Sequence, residues 1–161
     1  MTDTLTPTAL TEAGALVEST GTPGRVRLRI IEAGPGSSGT YLEETLRDAA
    51  ESRVFAAGTL MYLDHPAASE AADRPERSVR DLAGRLATDA VFEDGALVAE
   101  AEVFAHMRPI IEGLHESIGV SIRAMGDINE AGEVVAITEA RSVDYVTEAG
   151  AGGRVLELIE S

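Results

Sequence analysis

The 161-residue chain contains no cysteine and no lysine. Without cysteine it can form no disulfide, no thiolate metal site and no cysteine-protease nucleophile. Without lysine it can form no Schiff base, no Walker-type phosphate site and no serine–lysine dyad. These two absences exclude several enzyme classes before any motif is considered.

Aromatic residues are scarce, at 4% of the chain, so Val, Ile, Leu and Ala must build the core. No apolar run approaches the roughly 20 residues of a membrane-spanning helix. The first residues also lack the basic and apolar stretches of a signal peptide, so we expect a cytoplasmic protein without a membrane partner. The net charge of −15 has no basic stripe to offset it, which argues against a nucleic-acid partner.

The patterning predicts a flexible N-terminal tail over residues 1–23, followed by a single domain over 24–161. Because the predicted strands often follow one another directly, the fold class is α+β with a mostly antiparallel sheet or barrel. Periodicity and turn residues predict these elements in order: a strand over 25–31, a helix over 41–52, a strand over 54–63, a hairpin of 82–92 and 96–104 around Asp94-Gly95, a helix over 109–117, and strands over 119–126 and 134–147.

The segment from Gly34 to Gly39 fits the dinucleotide-binding pattern G-x-G-x-x-G between a predicted strand and a predicted helix. Three observations argue against this function. The preceding strand carries arginine at every second position, whereas a central parallel strand is buried on both faces. The spacing to Asp64 is long for a ribose-binding acid, and hairpins follow it instead of a parallel sheet. A dinucleotide-binding domain is therefore a lesser alternative.

Of the three histidines, His65 follows a predicted buried strand and precedes Pro66, which would fix its side chain within reach of solvent. His106 and His115 lack the partner four residues away that a metal-binding helix requires. We expect neither a metal nor a cofactor.

Serine hydrolysis needs a hydroxyl bonded to an imidazole, a group that orients the imidazole, and amide donors for the oxyanion. The sequence offers His65, Ser121, an acid near residues 139–144, and a glycine-rich loop after residue 148. A packed histidine and a serine on a strand face would satisfy the same pattern, so spacing alone leaves both interpretations open.

Three segments, in order, resemble regions of the tailed-phage prohead proteases. The resemblance covers roughly residues 25–155. The first, MYLDHP (61–66) with RSVRDLAG (77–84), is similar to the histidine region. The second, IGVSIRA (118–124), is similar to the serine region. The third, SVDYVT (142–147) with AGAGG (149–153), is similar to the segment that closes the active site.

The resemblance implies a fold like that of the herpesvirus assemblins, a small and mostly antiparallel β-barrel flanked by helices, working as a homodimer. It implies a serine endopeptidase that cleaves the capsid scaffold, or the scaffold-like extension of the major capsid protein, and also processes itself. Its partners would be those capsid proteins, and its place the procapsid in the host cytoplasm. A non-catalytic structural or scaffold protein of the same fold is the main alternative.

Carried over to this chain, the resemblance implies that His65 is the general base and Ser121 the nucleophile. The third member would be Asp144, which lies on the same predicted strand face as Ser142, with Glu139 as the alternative. Glu139 lies on the opposite predicted face with Arg141, which would pair with it.

The resemblance also implies an oxyanion site. It would be formed by backbone amides in the loop after the last predicted strand, at Gly152, Gly153 and Arg154.

Overall fold

The computed structural model describes residues 5–19, 24–114 and 117–147, with the backbone alone for residues 11–19. Helices are few and short in this part of the chain: α1 (Glu43–Glu51), α2 (Ala68–Asp73) and α3 (Arg108–Leu114), the last preceded by a 3-10 turn at Ala105–Met107. The strands are β1 (Thr6–Ser19), β2 (Arg25–Glu32), β3 (Gly34–Pro35), β4 (Thr40–Tyr41), β5 (Leu60–Tyr62), β6 (Leu82–Leu86), β7 (Val91–Glu93), β8 (Ala96–Val103), β9 (Gly119–Ile128) and β10 (Glu133–Val146).

The strands follow one hydrogen-bonded path, β3-β4-β10-β9-β1-β2-β8-β6-β5, with β7 paired to β8. All pairs are antiparallel except β4 with β10. This mixed α+β architecture with a mostly antiparallel sheet is the predicted fold class. Just beyond β5, at one end of the path, the chain meets β10 at a single bridge between Leu63 and Tyr145. Within the described residues the strands do not close into a barrel, so that part of the prediction is not met.

The first strand corrects the prediction of a flexible tail over residues 1–23, which is wrong for Thr6–Ser19. The first nine residues of β1 pair with β9, and its last residues pair with β2, so this strand joins two halves of the sheet. Backbone hydrogen bonds to two neighbours hold it there although the segment lacks apolar periodicity. Leu10, which is buried, anchors it in the core.

The core lies between the sheet and the helices α1 and α3. Helix α3 and its preceding turn contribute Ile111 and Met107 to this core. Burial along β2 alternates as the sequence predicts, with Val26, Leu28 and Ile30 inside and the intervening arginines at the surface. The helical spacing of Leu46 and Ala49 places both against the same core. No helix in the described part of the chain is long and apolar enough to cross a bilayer.

Two predicted strands are shorter than expected because turns interrupt them. The apolar stretch over 54–63 is a strand only at β5, since Gly58 adopts a φ of 96° and turns the chain. The segment over 82–92 divides into β6 and β7. The predicted tight turn between β7 and β8 is present, with φ angles of 49° at Asp94 and 79° at Gly95.

The segment from Gly34 to Gly39 does not lie in a dinucleotide-binding unit. The strand before it, β2, pairs antiparallel with both β1 and β8, so the parallel β-α-β unit that the motif requires is missing. The helix after it begins with Glu43 and Glu44, whose charges oppose a phosphate at that helix end. The dinucleotide alternative is therefore wrong.

Candidate active site

Strands β9 and β10 place a serine beside an aspartate. Ser121 and Asp144 are directly paired across the two antiparallel strands. A β-bulge between Ala140 and Ser142 shifts the register just before this pair, and every residue of β10 from 142 to 146 is buried. The bulge thus re-aims the end of β10 into the molecule, as bulges next to active sites commonly do.

The histidine comes from the other end of the sheet. Asp64, just after β5, adopts a φ of 62°, a conformation that aspartate tolerates better than most residues. Its backbone N–H donates to the carbonyl of Tyr145, 2.8 Å away, which ties this turn to β10. The turn therefore places the side chain of His65 next to the end of β10.

These elements bring His65, Ser121 and Asp144 into one hydrogen-bonded chain. The Nδ1 atom of His65 lies 2.8 Å from Oδ2 of Asp144, and its Nε2 atom lies 3.0 Å from Oγ of Ser121. With a neutral ring, Nδ1–H donates to the carboxylate and Nε2 accepts from the hydroxyl, which is the order required for general-base activation of a serine.

Access to this chain of hydrogen bonds is from the imidazole side. The His65 side chain is 25% exposed, whereas Ser121 is 4% exposed and Asp144 is fully buried. An open cleft of about 700 Å³ adjoins the imidazole, lined by residues of the β5–α2 turn and the end of β10. A ligand in this cleft would meet the imidazole first, with the serine hydroxyl behind it.

The alternative third residue, Glu139, lies elsewhere. It is exposed on β10, before the bulge, and makes no hydrogen bond to His65, whose two ring nitrogens face Asp144 and Ser121. The predicted oxyanion residues, Gly152, Gly153 and Arg154, lie outside the described residues.

One residue at the site was missed by the sequence analysis. Arg77 belongs to the turn after α2, and its side chain is only 6% exposed. Its Nη1 atom lies 3.3 Å from Oδ2 of Asp144, and its Nη2 atom donates to the carbonyl of Asp64 at 2.7 Å. Its presence in the segment that resembles the histidine region of the prohead proteases was the one available indication.

Basic and buried groups around the site shape its electrostatics. Burial lowers the pKa of Arg123, and the charges of Arg77 and Arg141 act in the same direction, whereas Asp144 opposes them. Burial raises the pKa of the Tyr145 phenol above its ordinary value. Arg77 and Arg123 therefore place positive charge near the buried carboxylate of Asp144. In the described residues, no group of three or more His, Asp or Glu side chains is arranged to hold a metal ion.

Comparison with known proteins places the fold. No protein-family model matches the chain, and no curated protein matches it in sequence. Among solved structures, the chain is similar to the capsid assembly protease gp21 of bacteriophage T4, with a TM-score of 0.62 and 16% sequence identity. The match covers 88% of this chain and 98% of that one. The chain therefore shares the fold of a phage capsid assembly protease.

Proposed function

We propose that this protein is a serine endopeptidase that matures phage procapsids. Its substrate would be the capsid scaffold or the scaffold-like extension of the major capsid protein, and it would also process itself. The observation that carries this proposal is the hydrogen-bonded order Asp144–His65–Ser121, because that order is the one that serine peptidases use. The fold shared with a capsid assembly protease supports the choice of substrate.

In the proposed mechanism, Nε2 of His65 takes the proton of Ser121 as Oγ attacks the scissile carbonyl. Asp144 keeps the proton of the neutral ring on Nδ1 and stabilises the imidazolium that forms. The imidazolium then protonates the leaving amine. In the second half of the reaction, His65 takes a proton from water as the water oxygen attacks the acyl carbonyl, and it returns that proton to Oγ of Ser121 when the acid product leaves. Backbone amides of Gly152, Gly153 and Arg154 remain our proposed oxyanion donors.

The setting of the reaction is part of the same proposal. The enzyme would act inside the procapsid, within the host cytoplasm, and would work as a homodimer. The open cleft beside His65 would admit the substrate as a chain segment from the imidazole side. The proposal includes no cofactor and no nucleic-acid partner.

The first test is cleavage during co-expression with the capsid and scaffold proteins of the same genome, read by intact mass. The parent should trim its partner, whereas Ser121→Ala should lose cleavage by a factor of about 10³ or more. Ser142→Ala is the matched control, because Ser142 is a buried serine on the neighbouring strand whose Oγ has no hydrogen-bond partner among the described residues. Its activity should stay near that of the parent.

The same experiment addresses the alternative of a non-catalytic structural protein. The near-complete burial of Ser121 is the observation that favours this alternative. If shells assemble and the parent leaves every partner intact, the structural role is correct. If Ser121→Ala trims as fast as the parent, the proposed mechanism is wrong.

A further inference from the structure

Arg77 forms hydrogen bonds to both elements that hold the imidazole, but none to His65 itself. One guanidinium nitrogen reaches the carboxylate of Asp144, which binds Nδ1 of the ring, and another holds the carbonyl of Asp64, the residue before His65. The guanidinium also stacks on the ring of Tyr62, with its central carbon 4.1 Å from the ring centroid. A single buried side chain therefore connects β5, the histidine turn and β10.

We propose that Arg77 is a positioning residue that keeps Asp144 ionised and fixes the turn carrying His65, and so sets the pH below which the triad stops working. This inference rests on the proposed function for its consequence in catalysis. Its physical core, the effect of Arg77 on the protonation of the His65–Asp144 pair, is measurable without catalysis.

The carboxylate of Asp144 needs a compensating cation. It is fully buried, and a buried ionised carboxylate is costly unless it is paired and hydrogen-bonded. A neutral imidazole contributes a hydrogen bond and no charge. The Oδ1 atom has no hydrogen-bond partner among the described residues. In the part of the chain that the structure describes, Arg77 is the arginine that contacts the carboxylate, and it does so through the same Oδ2 atom that the imidazole uses.

Other charged and titratable groups surround the pair more loosely. Arg123 acts on Asp144 through its charge from β9, without a hydrogen bond. The groups nearest the pair are Asp64 beside His65, Tyr62 on β5, Tyr145 on β10, and Glu70 and Asp81 on the wall of the cleft. Glu76, Glu139 and Arg141 lie further out, on the side of Arg77 and Arg123. Since none of these described groups is a cation in contact with Asp144, none of them replaces the charge of Arg77.

The sign of the effect follows from charge. With a neutral ring the His65–Asp144 pair carries a charge of −1, and binding one proton brings it to zero wherever the proton resides. The positive charge of Arg77 favours the −1 state. Removing that charge favours the protonated pair, so the pair should take up its proton at a higher pH, and the acid limb of the cleavage profile should move up with it.

The test compares Arg77→Gln with Arg77→Lys by NMR titration of the His65 imidazole, assigned by its loss in His65→Gln. The glutamine variant should take up its proton at a higher pH than the parent. The lysine variant keeps the charge but loses the planar fork, so its midpoint should stay near the parental value. Arg80→Gln, which removes an exposed arginine three residues along the same turn, is the charge-matched control and should leave the midpoint unchanged.

Cleavage of a substrate peptide gives the second measurement. In Arg77→Gln the acid limb of the kcat/KM profile should shift to higher pH. Arg77→Lys should lower kcat/KM about tenfold at every pH and leave the position of the acid limb unchanged. If Arg77→Gln loses its fold by circular dichroism, Arg77→Met, which keeps a long side chain over Tyr62, replaces it. An unchanged midpoint in a folded neutral variant, or an equal rise in Arg77→Lys, overturns the inference. A parent that cleaves nothing contradicts the proposed function instead, and the imidazole titration still decides the role of Arg77.

Discussion

The hydroxyl of Tyr145 is buried one residue beyond Asp144 and has no hydrogen-bond partner among the described residues. A buried hydroxyl without a partner costs about 1–3 kcal/mol in desolvation. We therefore expect Tyr145→Phe to leave the free energy of unfolding unchanged or to raise it by about 1 kcal/mol. Urea denaturation at pH 7 measures this. A loss of stability would mean that the hydroxyl contributes a favourable bond.

The same substitution should also change the dependence of stability on pH. Burial raises the pKa of Tyr145 in the folded protein above its unfolded value of about 10. Well below pH 10 both states keep the phenol proton, so the ionisation of Tyr145 does not affect the free energy of unfolding. At higher pH the unfolded chain ionises first, and the free energy of unfolding falls as pH rises toward the folded pKa. The fall in stability between about pH 9 and 11 should be less steep in Tyr145→Phe.

Single residues differ in how far the sequence could identify them. Ser121 and His65 were predicted because each lies in a segment that resembles a known family, and Asp144 because strand alternation placed it opposite Glu139. The structure brings these three side chains together. Arg77 also lies in such a segment, but its contacts could not be predicted. They depend on a turn that brings one side chain to both Asp64 and Asp144, and Asp144 lies 67 positions further along the chain.

The approach of β6 to β8 depends on a glycine. A methyl group at Gly84 would overlap the backbone carbonyl oxygen of Glu102 on β8, which no side-chain rotation can relieve. We expect Gly84→Ala to lower the free energy of unfolding by about 1–3 kcal/mol, because the strands must move apart. Thermal denaturation monitored by circular dichroism measures this.

Gly113 offers the matched control for that prediction. It lies in α3, and a methyl group there would meet no heavy atom within 4 Å. Because alanine favours a helix more than glycine does, Gly113→Ala should be neutral or stabilising by up to about 1 kcal/mol. Equal stability of Gly84→Ala and the parent would show that β6 and β8 can separate freely.

Elements with strong local patterns were predictable, and those held by distant partners were not. The alternating pattern of β2 and the Asp94-Gly95 turn specify their own conformations, and both are present as predicted. Strand β1 was missed because its order comes from pairing with β9, more than 100 positions along the chain, for example Thr6 with Ile128. The sequence of β1 carries little of that information.

The whole molecule assembles the site from segments that are far apart in sequence. His65 is separated from Ser121 by 56 positions and from Asp144 by 79. The three meet because the sheet path curls until the turn after β5 reaches the end of β10. Such a meeting depends on long-range strand order, which periodicity in one sequence does not specify. That these three residues form one site could therefore be predicted only through resemblance to a family.

The net charge of −15 should make the stability of the molecule depend on salt. Two effects compete. Screening weakens the surface ion pairs, such as Arg27 with Glu93 and Arg25 with Glu100, but exposed pairs of this kind contribute only about 0–1 kcal/mol each. Screening also weakens repulsion among 28 acidic residues facing 13 basic ones, and this repulsion extends over the whole surface.

Repulsion should prevail, so the Tm at pH 7 should rise by a few degrees when NaCl increases from about 0.01 to 0.1 M, where the Debye length falls from about 30 to 10 Å. Differential scanning calorimetry measures the Tm. The control is the same pair of salt concentrations at pH 5, closer to the isoelectric point of about 4.5, where the net charge and therefore the rise should be smaller. A Tm that falls with salt at pH 7 would mean that the ion pairs along β2 and its neighbours outweigh the repulsion of the molecule as a whole.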